Sequence, residues 1–120
     1  MPAPSVADLI GPLQLRVMNH LWKVNAATVQ EAMDAVNAAG AAKGEKPLAY
    51  TTFLTVMRNL AKRGLLDQRK TATKRHQFVV VIDEETYKSG VLKQIYADYC
   101  QNDRATLDRY LAARTAAVGA

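Results

Sequence analysis

Apolar positions recur along this chain at helical spacing, then switch for one short stretch to strict alternation. Leu13, Val17 and Leu21, with Met18 and Trp22 beside them, repeat every fourth residue and predict a first helix. Gly11-Pro12 opens it, because proline's missing N–H costs nothing in a first turn, and Asn25 is the expected stop. Thr28-Val-Gln-Glu31 has the capping-box form, in which the threonine hydroxyl and the Glu31 side chain each take up an orphan backbone N–H. The second helix, roughly 29–39, is expected to bury Val29, Met33 and Val36. Ala38 to Pro47 reads as a loop rich in alanine, glycine and lysine, with Pro47 keeping Lys46 out of helical geometry.

The third helix starts near Ala49–Thr51, ends at Arg63 and is stopped by Gly64. Its expected inner face is Phe53, Val56, Met57 and Leu60. Thr51, Thr52, Thr55, Arg58, Asn59 and Lys62 are left facing out. The period then becomes two. Segments Leu65–Lys70 and Arg75–Ile82 predict a hairpin joined by Thr71-Ala-Thr-Lys74, with Phe78, Val80 and Ile82 on one face and Val79 and Val81 on the other.

Three helices and a hairpin make a winged helix-turn-helix order, so the expected fold is mainly α with a small β-hairpin wing. Asp83 reads as the N-cap of a fourth helix, along which Tyr87, Val91, Ile95 and Tyr99, with Leu92 and Tyr96, form a wide apolar stripe. Asp103 is the expected cap of a last helix carrying Leu107, Tyr110 and Leu111. These stripes are too rich for an isolated appendage and predict a homodimer interface. The expected layout is an N-terminal arm (1–10), a winged-helix domain (11–82), dimerisation helices (83–114) and a tail (115–120).

At 120 residues the chain can bury a single modest core, and its 49% hydrophobic content excludes intrinsic disorder. The net charge of +5 is moderate, but its distribution is uneven. Arg58, Lys62, Arg63, Arg69, Lys70, Lys74 and Arg75 fall in one stretch with a single acid, Asp67, while nine cations and ten acids share the rest. Such a patch points to a polyanionic partner.

Cys100 is alone, which excludes an intrachain disulfide or a cysteine metal cluster. His20 and His76 are too isolated for a metal site, and no cofactor is expected. Apolar runs such as Val79–Ile82 are too short to span a bilayer, and the first residues lack a signal peptide's basic start and apolar core, so a cytoplasmic protein is expected. There is no glycine-rich phosphate loop, no HExxH and no nucleophile with a nearby histidine, so catalysis is not expected. Asp83-Glu84-Glu85 reads instead as acids complementing a helix dipole.

A solvated helix face ordinarily carries Glu and Lys pairs, yet residues 50–63 contain no acid. That favours DNA contact. Thr52, Thr55 and Asn59 suit base edges, and Thr51, near the helix N-terminus, suits a phosphate. Arg58 could meet guanine or a phosphate, and Leu54 could touch a thymine methyl or pack on the second helix. Lys70, Lys74 and Arg75 on the wing suit phosphates, although lysines also serve to blunt exposed strands. Trp22 reads as core. Tyr87, Tyr96, Tyr99 and Tyr110 read as interface packing, and Cys100 as a buried interface thiol. The alternative to DNA is a winged-helix protein-interaction module whose basic face meets an acidic partner.

Leu13-Gln-Leu-Arg-Val-Met-Asn-His-Leu-Trp22, Thr28-Val-Gln-Glu31, Ala49-Tyr-Thr-Thr52 and Leu60-Ala-Lys-Arg-Gly-Leu-Leu66, in this order, resemble the signature blocks of the BlaI/MecI penicillinase-repressor family. The resemblance implies a dimeric winged-helix repressor that binds a palindromic operator in double-stranded DNA through its third helix and wing. It implies C-terminal helices that supply the dimer contact. Members that respond to β-lactams are cut at an Asn-Phe bond in the C-terminal region, and this sequence has no Asn-Phe pair, Asp108-Arg-Tyr110 being the nearest match. The copper-responsive branch uses a cysteine-rich C-terminal motif that Cys100 alone does not supply. The release signal, an inducer or a protease, is therefore left open.

Overall fold

The computed structural model describes residues 9–71 and 76–113. Helix α1 (Pro12–Val24) ends at Asn25, whose φ of 69° is left-handed and whose N–H bonds back to the Leu21 carbonyl at 2.6 Å. That reversal feeds directly into a short strand, β1 (Ala26–Thr28). Thr28 then caps α2 (Val29–Ala41): its hydroxyl accepts the Glu31 N–H at 3.1 Å, and Glu31 Oε1 accepts the Thr28 N–H at 2.8 Å. Helix α2 continues past the expected end at residue 39, since alanines carry it through Ala41. Its buried residues are Val29, Ala32, Val36 and Gly40, while Met33 is only half-buried.

Helix α3 (Tyr50–Lys62) buries Phe53, Met57 and Leu60, whereas Val56 is half-buried. Gly64, at φ 84°, terminates it in a Schellman turn. Its N–H bonds the Ala61 carbonyl at 3.1 Å and the Leu65 N–H bonds the Leu60 carbonyl at 3.0 Å. Leu60 and Leu65 are both buried, so the turn is closed by apolar contact as well as by hydrogen bonds. The chain leaves this turn as β2 (Leu66–Lys70) and returns as β3 (His76–Val80).

The sheet differs from the expected two-stranded hairpin. Its order is β1-β3-β2, all antiparallel, with β3 in the centre. Ala27 lies opposite Phe78, and the two are 1% and 0% exposed, a small side chain leaving room for a large one. Three residues of small side chain carry no alternation, which is why β1 has no sequence signature. Regular pairing in β3 stops at Val80, short of the expected Ile82. Ile82 has another role: its carbonyl accepts the Trp22 indole N–H at 3.0 Å. Trp22 is thus half-buried with its polar end tied down.

Ile10–Tyr87 packs as one compact unit, with α1, α2 and α3 enclosing a core of Val17, Met18, Leu21, Phe53, Met57, Leu60 and Phe78 beside the sheet. This is the winged helix-turn-helix. Helix α4 (Glu84–Cys100) starts inside this unit, with the Thr86 N–H held by Asp83 Oδ2 at 3.1 Å, and continues into a second unit that includes residues 88–113. There, Gln101 and Asn102 adopt φ of 51° and 56°, and Asp103 caps α5 (Arg104–Ala112) by accepting the Thr106 N–H at 3.2 Å.

Candidate nucleic-acid interface

The site is built on α3. Burial of Phe53, Met57 and Leu60 fixes the helix's rotation, and the rotation turns Thr51, Thr55, Arg58, Asn59 and Lys62 to solvent. Thr52 departs from the expected outward set and is half-buried, because it sits beside Phe53 at the edge of the apolar stripe. The helix begins at Ala49, which offers no side chain to cap the first turn, and no acid lies in that turn. Its positive dipole end is therefore open to an anion.

A groove of about 450 Å³ runs alongside this face. Tyr50, Leu54 and Arg58, spaced four apart on α3, form one wall. Gln30 at the start of α2 and Gln68 and His76 on the two wing strands form the others. Helix, positioning helix and wing thus converge on one concavity. Leu54 lines it while half-buried. Gln30, Tyr50, Gln68 and His76 line the groove without standing out in the sequence. Tyr50 carried a usable signal in its four-residue spacing to Leu54 and Arg58, but the other three are brought in only by folding.

On the wing, Lys70 is exposed and pairs in register with His76. Arg69 Nε contacts Asp67 Oδ2 at 3.0 Å, so the patch's one acid is engaged with a neighbouring cation. Both partners are well exposed, and such a pair contributes little stability. Lys74 and Arg75, the other expected wing contacts, lie outside the described residues.

The expected dimer residues separate into two groups. Tyr87 is 4% exposed in the single chain and its ring lies 5.6 Å from that of Trp22, within the same winged-helix unit. Val91 is also buried in the single chain, while Ile95, Tyr96 and Leu107 are half-buried. Leu92, Tyr99, Tyr110 and Leu111 are all more than half exposed. Cys100 is buried without a partner chain, at 3% exposure.

Among the described residues no helix is long and apolar enough to cross a membrane, and no group of three or more His, Cys, Asp or Glu could hold a metal ion. The profile of the penicillinase repressor family matches residues 10–117, spanning the winged helix and both C-terminal helices. The chain belongs to the penicillinase repressor family. The transcriptional regulator BlaI of Mycobacterium tuberculosis, in strains CDC 1551 / Oshkosh and ATCC 25618 / H37Rv, is 31% identical over 84 residues. That alignment covers 69% of this chain and 56% of the relative, so the chain spans about half the length of the curated relatives it matches. The penicillinase repressor family is one of regulators, not of enzymes.

Proposed function

We propose that this chain represses transcription by binding a palindromic operator in double-stranded DNA as a homodimer. In this reading α3 enters the major groove, with Thr52, Thr55 and Asn59 at base edges and Thr51 on a phosphate at the helix N-terminus. Arg58 faces the groove shared with the wing, where it meets a phosphate or a guanine. Lys62, Lys70, Lys74 and Arg75 take flanking phosphates. Leu92, Tyr99, Tyr110 and Leu111 supply apolar surface for the second copy, which would set the separation of the half-sites.

One observation carries this reading: the solvent face of α3 holds threonines, an amide and cations without a single acid, and it adjoins a groove walled by α2 and the wing. Membership of a repressor family and similarity to a protein named as a transcriptional regulator support it. Footprinting on the region upstream of the gene is the test. Two protected half-sites about one helical turn apart, or a multiple of it, are expected. Uniform or absent protection would speak instead for an acidic protein partner.

A further inference from the structure

At the far end of α2 from the α3–wing groove, a second cleft of about 270 Å³ opens between α1 and α2. Arg16, His20 and Lys23 line it from α1, where their spacing places them on one stripe. Lys43, from the turn after α2, completes the basic set, and among the described residues no carboxylate lines the cleft. From α2 it is lined by Ala35, Val36 and Ala39, side chains without charge.

The charge here is poorly compensated. Glu45 pairs with Arg16 at 3.2 Å, but neither Lys23 nor Lys43 takes part in a salt bridge among the described residues. Lys23 in the last turn of α1 complements the helix dipole. That role does not call for Arg16, His20 and Lys43 around the same concavity. We propose that this cleft binds a small, multiply charged anion carrying carboxylate or phosphate groups, held by Arg16, His20, Lys23 and Lys43.

The site is distinct from the proposed DNA face. Val29, in the first groove, and Ala39, in the second, are separated by ~15 Å along α2 at the helical rise. The volume suits a compact molecule of a few heavy atoms, not a duplex. Binding also has a built-in competitor, because an incoming anion must share Arg16 with Glu45. Replacing Glu45 therefore strengthens the site, the opposite of what loss of a merely structural ion pair would do.

The test is an amide NMR titration of the full chain, without DNA and at constant ionic strength, using inorganic phosphate and citrate as probes. Saturating shifts centred on His20, Lys23, Ala39 and Lys43 are expected with at least one probe, and the saturating probe identifies the preferred charge chemistry. In Lys23→Gln/Lys43→Gln, both exposed positions, affinity should fall by about tenfold or more. In Glu45→Gln it should rise several-fold. Linear shifts with both probes, shifts centred on α3 and the wing, or affinity unchanged in the double variant would each overturn the proposal.

Discussion

Asn37 holds Leu48 by a matched pair of hydrogen bonds across the connection between α2 and α3. Its Nδ2 donates to the Leu48 carbonyl at 3.0 Å, and its Oδ1 accepts the Leu48 N–H at 2.9 Å. The side-chain amide thereby acts as a strand edge would, pinning the backbone one residue before the Ala49 cap of α3. Asn37→Ala should lower stability by about 1–2 kcal/mol, the worth of two neutral hydrogen bonds. Denaturant unfolding of the variant checks it, and an unchanged midpoint would mean that water replaces both bonds without loss.

Trp22 performs a comparable service at the other end of the winged helix. Trp22→Phe keeps a ring against Tyr87 but leaves the Ile82 carbonyl without its indole donor. A loss of about 1 kcal/mol is expected, with little change in the denaturant slope. A variant as stable as the parent would show that the hydrogen bond contributes nothing net.

Gly64 is the residue on which the α3-to-wing turn depends. At φ 84° a side chain is strained, although a Cβ built there meets nothing within 4 Å. Gly64→Ala should therefore cost about 1–2 kcal/mol through backbone conformation alone. Gly64→Asn should cost less, since asparagine tolerates the left-handed region. Thermal unfolding of the pair distinguishes strain from crowding: equal losses would contradict the backbone explanation.

The caps of the two C-terminal helices make their stability sensitive to acid. Asp83 is held below its ordinary range chiefly by the Thr86 hydroxyl, then by the Thr86 N–H. Asp103 is lowered in the same way, chiefly by the Thr106 hydroxyl. A depressed carboxylate pKa in the folded state gives stability that is present above the unfolded value and lost as pH falls through the folded one. Acid titration by circular dichroism should therefore show helix loss only below the ordinary carboxylate range. Asp83→Asn/Asp103→Asn should blunt that dependence, and a helix loss centred near neutral pH would contradict it.

Where local chemistry decided the structure, it could be read in the sequence. The Thr28–Glu31 box, the Asn25 reversal, the Gly64 stop and the Asp103 cap each depend on residues within a few positions of one another, and each forms. Strand β1 could not be read because its order comes from pairing with β3, not from its own Ala-Ala-Thr sequence. The ring contact between Trp22 and Tyr87 has no sequence signal for a related reason, since folding brings together residues far apart in the chain. Apart from Thr52, the outward face of α3 is legible from helical period alone, but the groove beside it is not. Gln30, Gln68 and His76 come from three separate elements and share no spacing.

The most direct test of the central claim is an anisotropy titration of the chain against duplexes from its own upstream region and scrambled controls. It should be run over a range of salt, with the parent, Thr55→Ala/Arg58→Ala and Lys62→Ala. The expected result is preference for a defined duplex, a steep salt dependence, and a slope reduced by roughly 0.9 in Lys62→Ala if it holds one phosphate. Thr55→Ala/Arg58→Ala should lose sequence preference while remaining folded, since both positions are exposed. Weak binding that ignores sequence and is indifferent to all three substitutions would contradict the assignment of α3 as the surface that reads DNA.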